Sequence, residues 1–190
     1  DINTDTKLFG VIGSHVLQSS GPAFHNAAFE VAGMNAVYLP IPIPAEWEHF
    51  KATFLELFHC EHLSFAGASI TLPHKTHMLK ILDKLHGSAD ELSSEIGATN
   101  TITINDGSIQ ATNTDALAIA SLLEGVGKVL VLGGGGVARA AITAMANQGA
   151  TVYVSTRNKE QSNTLAREFA CTIYDDSIQD VDAIINCTPI

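Results

Sequence analysis

Lys128-Val129-Leu130-Val131-Leu132 is a continuous apolar run that passes directly into Gly133-Gly134-Gly135-Gly136-Val137-Ala138. A short apolar run bounded by glycine reads as a buried strand. A helix to about Gln148 follows, ended by Gly149. Strand, glycine turn and helix in that order are the context in which Gly133-x-Gly135-x-x-Ala138 marks a dinucleotide site. Small residues let the backbone approach a pyrophosphate, and the helix amino end favours its negative charge. Gly133, Gly134, Gly135, Gly136, Val137 and Ala138 are therefore candidate pyrophosphate-binding residues. The alternative is a tight turn with no ligand.

Downstream, Thr151–Ser155 reads as the next strand, followed by a helix to about Phe169. Cys171–Tyr174 and Ala183–Cys187 read as two more short strands. This rhythm predicts a doubly wound parallel sheet. It reaches Ile190 with about four strands where such a domain usually has six, so the domain is expected to be incomplete at its C-terminal end. An acid at the end of the second strand would hold the ribose 2′-hydroxyl of NAD. Here the chain offers Thr156-Arg157-Asn158-Lys159 instead. A guanidinium suits a 2′-phosphate, so Thr156 and Arg157 point to NADP over NAD. An arginine capping its own loop is the plainer reading.

Upstream the pattern differs. Lys7–Ile12 is a first strand, and Pro22 opens a helix to about Val31. Ala36–Ile43 is an extended run whose Pro40 and Pro42 suit a sheet edge. Pro44–Phe58 is amphipathic, with Trp47, Phe50, Phe54, Leu55 and Phe58 inward. Phe65–Thr71 is a third strand that delivers Pro73 and Lys75 at its carboxyl end, with Pro73 opening a helix over His74–Leu85. Ser88–Ile96 reads as a capped short helix with Asp90 and Glu91 in its first turn. Asn105-Asp106-Gly107 between two extended runs is a hairpin signal. The expected organisation is an N-terminal α/β domain over residues 1–114, a connecting helix over 115–126, and a Rossmann-type domain over 127–190.

The 190 residues are 46% hydrophobic and 16% charged, enough for globular cores. A net charge of −10 with no basic cluster argues against nucleic acid. Three cysteines in unremarkable contexts fit a reducing, cytoplasmic setting. No apolar run approaches about 18 residues, so no membrane span is expected. His59-Cys60-Glu61-His62 and His74/His77 match no recognised metal spacing, and no metal is expected.

Lys75 alone reads as a solvated lysine. Asp115, ending Asn113-Thr114-Asp115 at a helix start, reads alone as an N-cap. Together in a cleft they can act on a carbonyl or hydroxyl, the lysine carrying the proton and the aspartate orienting it. Asn100, in Gly97-Ala98-Thr99-Asn100-Thr101, joins that constellation.

These pieces resemble the shikimate dehydrogenase family along nearly the whole chain. The matching stretches are Phe9–Gly13, Ser19 through Pro22-x-x-His25-Asn26, Ala36-Val37-Tyr38, and Thr71-x-Pro73-x-Lys75. They continue with Ile96–Thr101, Asn113-Thr114-Asp115, the glycine loop and Asn186-x-Thr188-Pro189. The resemblance implies reversible NADPH-dependent reduction of 3-dehydroshikimate to shikimate, a step of aromatic amino-acid biosynthesis. It implies Lys75 and Asp115 as the catalytic pair. Ser19, Ser69, Thr71 and Asn100 would hold substrate, and the glycine loop, Thr156, Arg157 and Thr188 would hold NADP. The opening Asp1–Gly10 is similar to the junction in fused dehydroquinate dehydratase–shikimate dehydrogenases, which implies a fused partner domain.

Three departures fall at the substrate site. Gln18-Ser19-Ser20-Gly21-Pro22 carries Gly21 where the family has a second serine. Ser14-His15 stands where a proline is usual, and Ser69 replaces an asparagine. Loss of one bond to a substrate carboxylate weakens binding by about 1.5–3 kcal/mol, roughly ten- to a hundred-fold. Two alternatives follow: a dehydrogenase that takes quinate instead or as well, and a non-catalytic dehydrogenase-like domain that senses ligand.

Overall fold

The computed structural model describes residues 2–175, 177–178 and 180–188. The chain separates into two compact units. One takes the chain up to Ser94 together with Thr99–Thr112, the other Glu95–Ala98 and the chain from Asn113 onward.

The first unit contains β1 (Lys7–Gly13), α1 (Gly21–Val31), β2 (Ala36–Pro42), α2 (Trp47–His59), β3 (Phe65–Ile70) and α3 (Lys75–Leu82). A 3₁₀ turn over Asp83–Leu85, β4 (Ser88–Ala89) and α4 (Glu91–Ile96) lead to β5 (Thr101–Asn105) and β6 (Ser108–Thr112). The sheet order is β2-β1-β3-β5-β6-β4. β1 is parallel to β2 and β3, while β5 is antiparallel to β3. The carboxyl ends of β1 and β3 and the amino end of β5 therefore share one end of the sheet. β2 is an edge strand, which tolerates the missing N–H groups of Pro40 and Pro42. Asp106 and Gly107 both adopt positive φ, as a tight hairpin turn requires. Phe50 and Phe54, one turn apart on α2, pack with Met78 and Ile81 of α3 and with Ile12, Ile70, Ile102 and Ile109 of the sheet.

Three local expectations change. Pro73 does not open α3: the Leu72–Pro73 peptide is cis, the His74 N–H donates to the Thr71 carbonyl, and the helix begins at Lys75. A cis proline at the third position defines a type VI turn, which precedes the helix. Ser88 does not cap a helix but pairs in β4 beside β6. The cap is Asp90, which accepts from the Ser93 N–H at 2.7 Å. Asp115 is not an N-cap, because Asn113 takes that place.

The second unit contains α5 (Thr114–Leu122), β7 (Lys128–Leu132), α6 (Gly136–Asn147), β8 (Thr151–Ser155), α7 (Lys159–Glu168), β9 (Thr172–Ile173) and β10 (Ala183–Asn186). All four strands are parallel, in the order β10-β7-β8-β9. The order reverses between β7 and β10, and that switch point is where such sheets bind ligands. Its core joins Val129, Val131, Val152 and Val154 to Ala138, Ala141, Ile142 and Met145 of α6.

Candidate active site

The sheet end of the first unit gathers most of the polar residues singled out above. Ser19 follows β1, and its Oγ accepts from the Gly21 N–H at 3.1 Å, which leaves the hydroxyl proton for another acceptor. Ser69 lies on β3, where the Tyr38 hydroxyl donates to its Oγ at 2.7 Å. The Tyr38 backbone is clamped by Asn26, which donates to the Tyr38 carbonyl at 2.9 Å and accepts from its N–H at 2.8 Å. The His25 ring stacks on Tyr38 at 4.3 Å. Burial holds the Tyr38 phenol above its usual range, against the smaller opposing effect of its bond to Ser69, so it stays a neutral donor. A Cβ built on Gly21 would lie 3.1 Å from the Ser19 Oγ and 3.5 Å from Tyr38 Cε1. Gly21 therefore belongs to the same cluster as Ser19 and Tyr38.

Thr71 and Lys75 lie one and five residues past the end of β3. The turn between them is held closely. The Thr71 N–H donates to Ile12 O at 2.8 Å, the Ser14 N–H to Leu72 O at 3.1 Å, and the Thr99 N–H to Lys75 O at 3.0 Å. Gly13 has no space for a side chain here, since a Cβ would meet the Thr71 methyl and lie 2.9 Å from Leu72 O. Lys75 is only 7% exposed, so it is not a solvated surface lysine. Asn100 precedes β5 next to Thr71, since Ile70 N–H donates to its carbonyl at 2.7 Å. The Thr101 hydroxyl donates to Asn100 Oδ1 at 2.9 Å and so orients the amide.

Asp115 belongs to the second unit, in the first turn of α5. The Asn113 side chain accepts from the N–H groups of Asp115 and Ala116 and donates to Ala98 O at 2.9 Å. Asn113 is 1% exposed. The N-cap of α5 is Asn113, and Asp115 lies in the first turn that it caps.

In the same unit the glycine loop follows β7 at the switch point. Gly133 has φ +113°, and a Cβ there would lie 3.0 Å from Cys187 O, so the loops after β7 and β10 touch. Gly135 is the N-cap residue of α6, with no side-chain cap and no acid in the first turn. Helix amino ends of this kind present their first N–H groups to an outside acceptor. Gly136 and Ala138 are buried and let α6 pack closely on β7. Gln161 Nε2 donates to Gly134 O at 3.2 Å. Thr156 spends its hydroxyl on Asn158 O at 2.6 Å and Ser162 Oγ at 2.7 Å. That shapes the loop and leaves Arg157 exposed beyond β8. Thr188 donates through its N–H and hydroxyl to Asn186 Oδ1. Pro189 lies outside the described residues.

Tyr38, His74 and Asn113 have structural roles that no motif assigned to them. Their partners Ser69, Ile43 and Ala98 lie 31, 31 and 15 residues away, beyond what local spacing reveals.

A parallel Rossmann-type unit with a glycine loop at its switch point, in one chain with an α/β unit presenting a buried lysine among hydroxyls, defines the dinucleotide-dependent dehydrogenase class. Residues 11–102 match the shikimate dehydrogenase substrate-binding domain, and residues 128–190 match the NADP oxidoreductase, coenzyme F420-dependent family. The shikimate dehydrogenase (NADP(+)) of Pyrobaculum aerophilum is 38% identical over 96% of this chain and 70% of its own length. That of Aquifex aeolicus is 36% identical over 100% of this chain and 70% of its own. A crystal structure of shikimate dehydrogenase from Aquifex aeolicus superposes with a TM-score of 0.85 at 34% identity, covering 99% of this chain and 71% of that one. The Thermus thermophilus enzyme in complex with NADP(H) and shikimate gives 0.79 at 28% identity, covering 96% and 69%. The chain belongs to the shikimate dehydrogenase family and spans about 70% of the length of these relatives.

Proposed function

We infer that the chain is an NADP-dependent shikimate dehydrogenase, reversibly reducing 3-dehydroshikimate to shikimate. The observation that carries this reading is the buried Lys75, placed past β3 at the sheet end that also holds Ser69, Thr71 and Asn100. Relatives at 36–38% identity carry the NADP-dependent activity in their names.

The second unit fits the cofactor. The glycine loop and the uncapped amino end of α6 suit a pyrophosphate. Arg157, with no acid beside it at the end of β8, suits the 2′-phosphate. Bound NADP supplies or takes up the hydride. In our assignment Lys75 carries the proton to or from the substrate oxygen, and Asp115 orients it and balances charge. Ser19, Ser69, Thr71 and Asn100 hold the substrate carboxylate and hydroxyls. Ser69 accepts from Tyr38, so its own proton is available to donate. Thr188 completes the cofactor loop with the glycines.

Among the described residues no helix is long and apolar enough to cross a membrane. A cytoplasmic location and a fused dehydroquinate dehydratase domain remain part of the proposal, supported by cysteine usage and by the opening stretch. Cell fractionation and the mass of the natural polypeptide test them. The function is tested by reduction of NADP or NAD with shikimate or quinate. Shikimate with NADP is the expected best pair. Reduction with quinate alone would reassign the substrate to the loop around Gly21, and cofactor binding without any turnover would indicate a ligand sensor.

A further inference from the structure

We propose that His74 is a positioning residue for Lys75, a side chain whose hydrogen bonds fix where the lysine leaves the β3–α3 turn. The inference rests on the reading of Lys75 as the proton carrier.

Backbone–backbone bonds anchor the turn at Thr71, Leu72 and Lys75. Those bonds are open to almost any residue. The His74 ring adds sequence-specific ones. It is 0% exposed and, although it sits at the N-cap position, makes no cap bond. Its Nε2 lies 3.1 Å from Ile43 O. A carbonyl only accepts, so Nε2 carries the proton and Nδ1 is left as an acceptor in the neutral ring. Nδ1 lies 3.1 Å from His77 Nδ1, which must therefore donate. The Ile43 carbonyl fixes the His74 tautomer, and His74 in turn fixes that of His77.

The His74 ring also stacks on Phe50 at 4.6 Å, and His77 meets Trp47 edge-on at 5.4 Å. One ring thus ties together the segment after β2, the helix α2 and the first turn of α3. Lys75 is the next residue in the chain. Reacting groups displaced by about 1 Å lose on the order of a hundredfold in rate, so a ring that fixes the preceding Cα acts on rate without touching substrate.

The test uses the full-length protein. His74→Phe keeps the ring volume and the stack on Phe50 but removes both hydrogen bonds. His74→Gln restores a donor toward Ile43 O, and His77→Ala removes the second bond alone. The readouts are kcat, KM for shikimate and for NADP, the primary deuterium isotope effect on shikimate oxidation, and thermal unfolding. His74→Phe is expected to lose roughly ten- to a hundredfold in kcat, with KM for NADP unchanged and a larger isotope effect. His74→Gln should recover part of that loss, and His77→Ala should show a smaller loss in the same direction. A purely structural role would lower the unfolding temperature and leave kcat and the isotope effect of the folded enzyme alone. Wild-type kcat and isotope effect in His74→Phe would therefore overturn the inference. If that variant does not fold, unchanged kcat and isotope effect in His77→Ala overturn it. Lys75→Ala, run alongside, separates the two levels. Turnover surviving in Lys75→Ala, or absent from wild type, defeats the reading of Lys75 and this inference with it. A dead Lys75→Ala beside a wild-type-like His74→Phe defeats the positioning role alone.

Discussion

Gly21 sits where a Cβ would be 3.1 Å from the Ser19 hydroxyl and 3.5 Å from the Tyr38 ring. The first contact is tight, but it involves a side chain that can rotate. Gly21→Ser is therefore expected to fold and to add a donor to the substrate carboxylate. Its KM for shikimate should fall by roughly tenfold, the equivalent of about 1.4 kcal/mol, and its preference for shikimate over quinate should rise. A KM unchanged or raised in steady-state kinetics would place the carboxylate elsewhere. Arg157 is the residue we assign to the cofactor's 2′-phosphate. Arg157→Ala should weaken NADP by about 1.5–3 kcal/mol and leave NAD nearly unaffected, as read by titration calorimetry with each dinucleotide. Equal losses for both would remove Arg157 from the 2′-phosphate. The places of the glycine loop after β7 and of Arg157 after β8 were legible in the sequence because they are local: a strand, a turn and a helix start within about ten residues. Ser19, Gly21 and Ser69 were singled out as well, but the bond from Tyr38 to Ser69 that ties them together was not, because it forms only when β1, β2 and β3 lie side by side.

At the scale of elements, the β3–α3 turn and α3 carry the most specific construction. Burial lowers the His74 basicity. It does the same for His77, with the nearby His74 and Lys80 contributing further. The unfolded chain therefore binds more protons than the folded one below about pH 6.5, the ordinary histidine value. Stability is full above that pH and falls as pH drops through the folded values. Denaturant titrations from neutral to mildly acidic pH should show this slope, and His74→Phe should flatten it. An unchanged slope would assign it to other groups. The cap of α5 gives a second prediction. Asn113→Ala removes two accepted backbone bonds and orphans a buried carbonyl at Ala98, for a loss of about 1–3 kcal/mol in unfolding free energy. Less than about 0.5 kcal/mol would mean that water replaces the amide. Periodicity located most of these elements, but their exact starts depended on features it does not carry. α3 starts at Lys75, after a turn closed by the His74 N–H donating to the Thr71 carbonyl. The choice of Asn113 over Asp115 as the cap follows from a partner at Ala98.

For the whole molecule, the two units have separate cores, one around Phe50, Phe54 and Ile12 and one around Val129, Val131 and Ile142. Substrate and cofactor are assigned to different sets of residues. Hydrogen exchange should then show NADP slowing residues 133–138 and 156–158, and shikimate slowing 69–75 and 99–101. NADP at about a hundred times its Kd should stabilise the protein by about 2.7 kcal/mol. The two-part organisation was legible because the chain changes character at about residue 127, from mixed signals to a strict strand–helix alternation. The return of residues 95–98 to the second unit was not, since nothing in that short stretch marks it. In our assignment Lys75 carries the proton in an NADP-dependent oxidation of shikimate. The most direct test is the absorbance of reduced nicotinamide formed from shikimate and NADP by the full-length protein and by Lys75→Ala at equal concentration. Turnover in the wild type that falls by about 10²–10⁴-fold in the variant, with NADP affinity retained, is the predicted result. Equal turnover in both, or none in a wild type that binds both ligands, would contradict it.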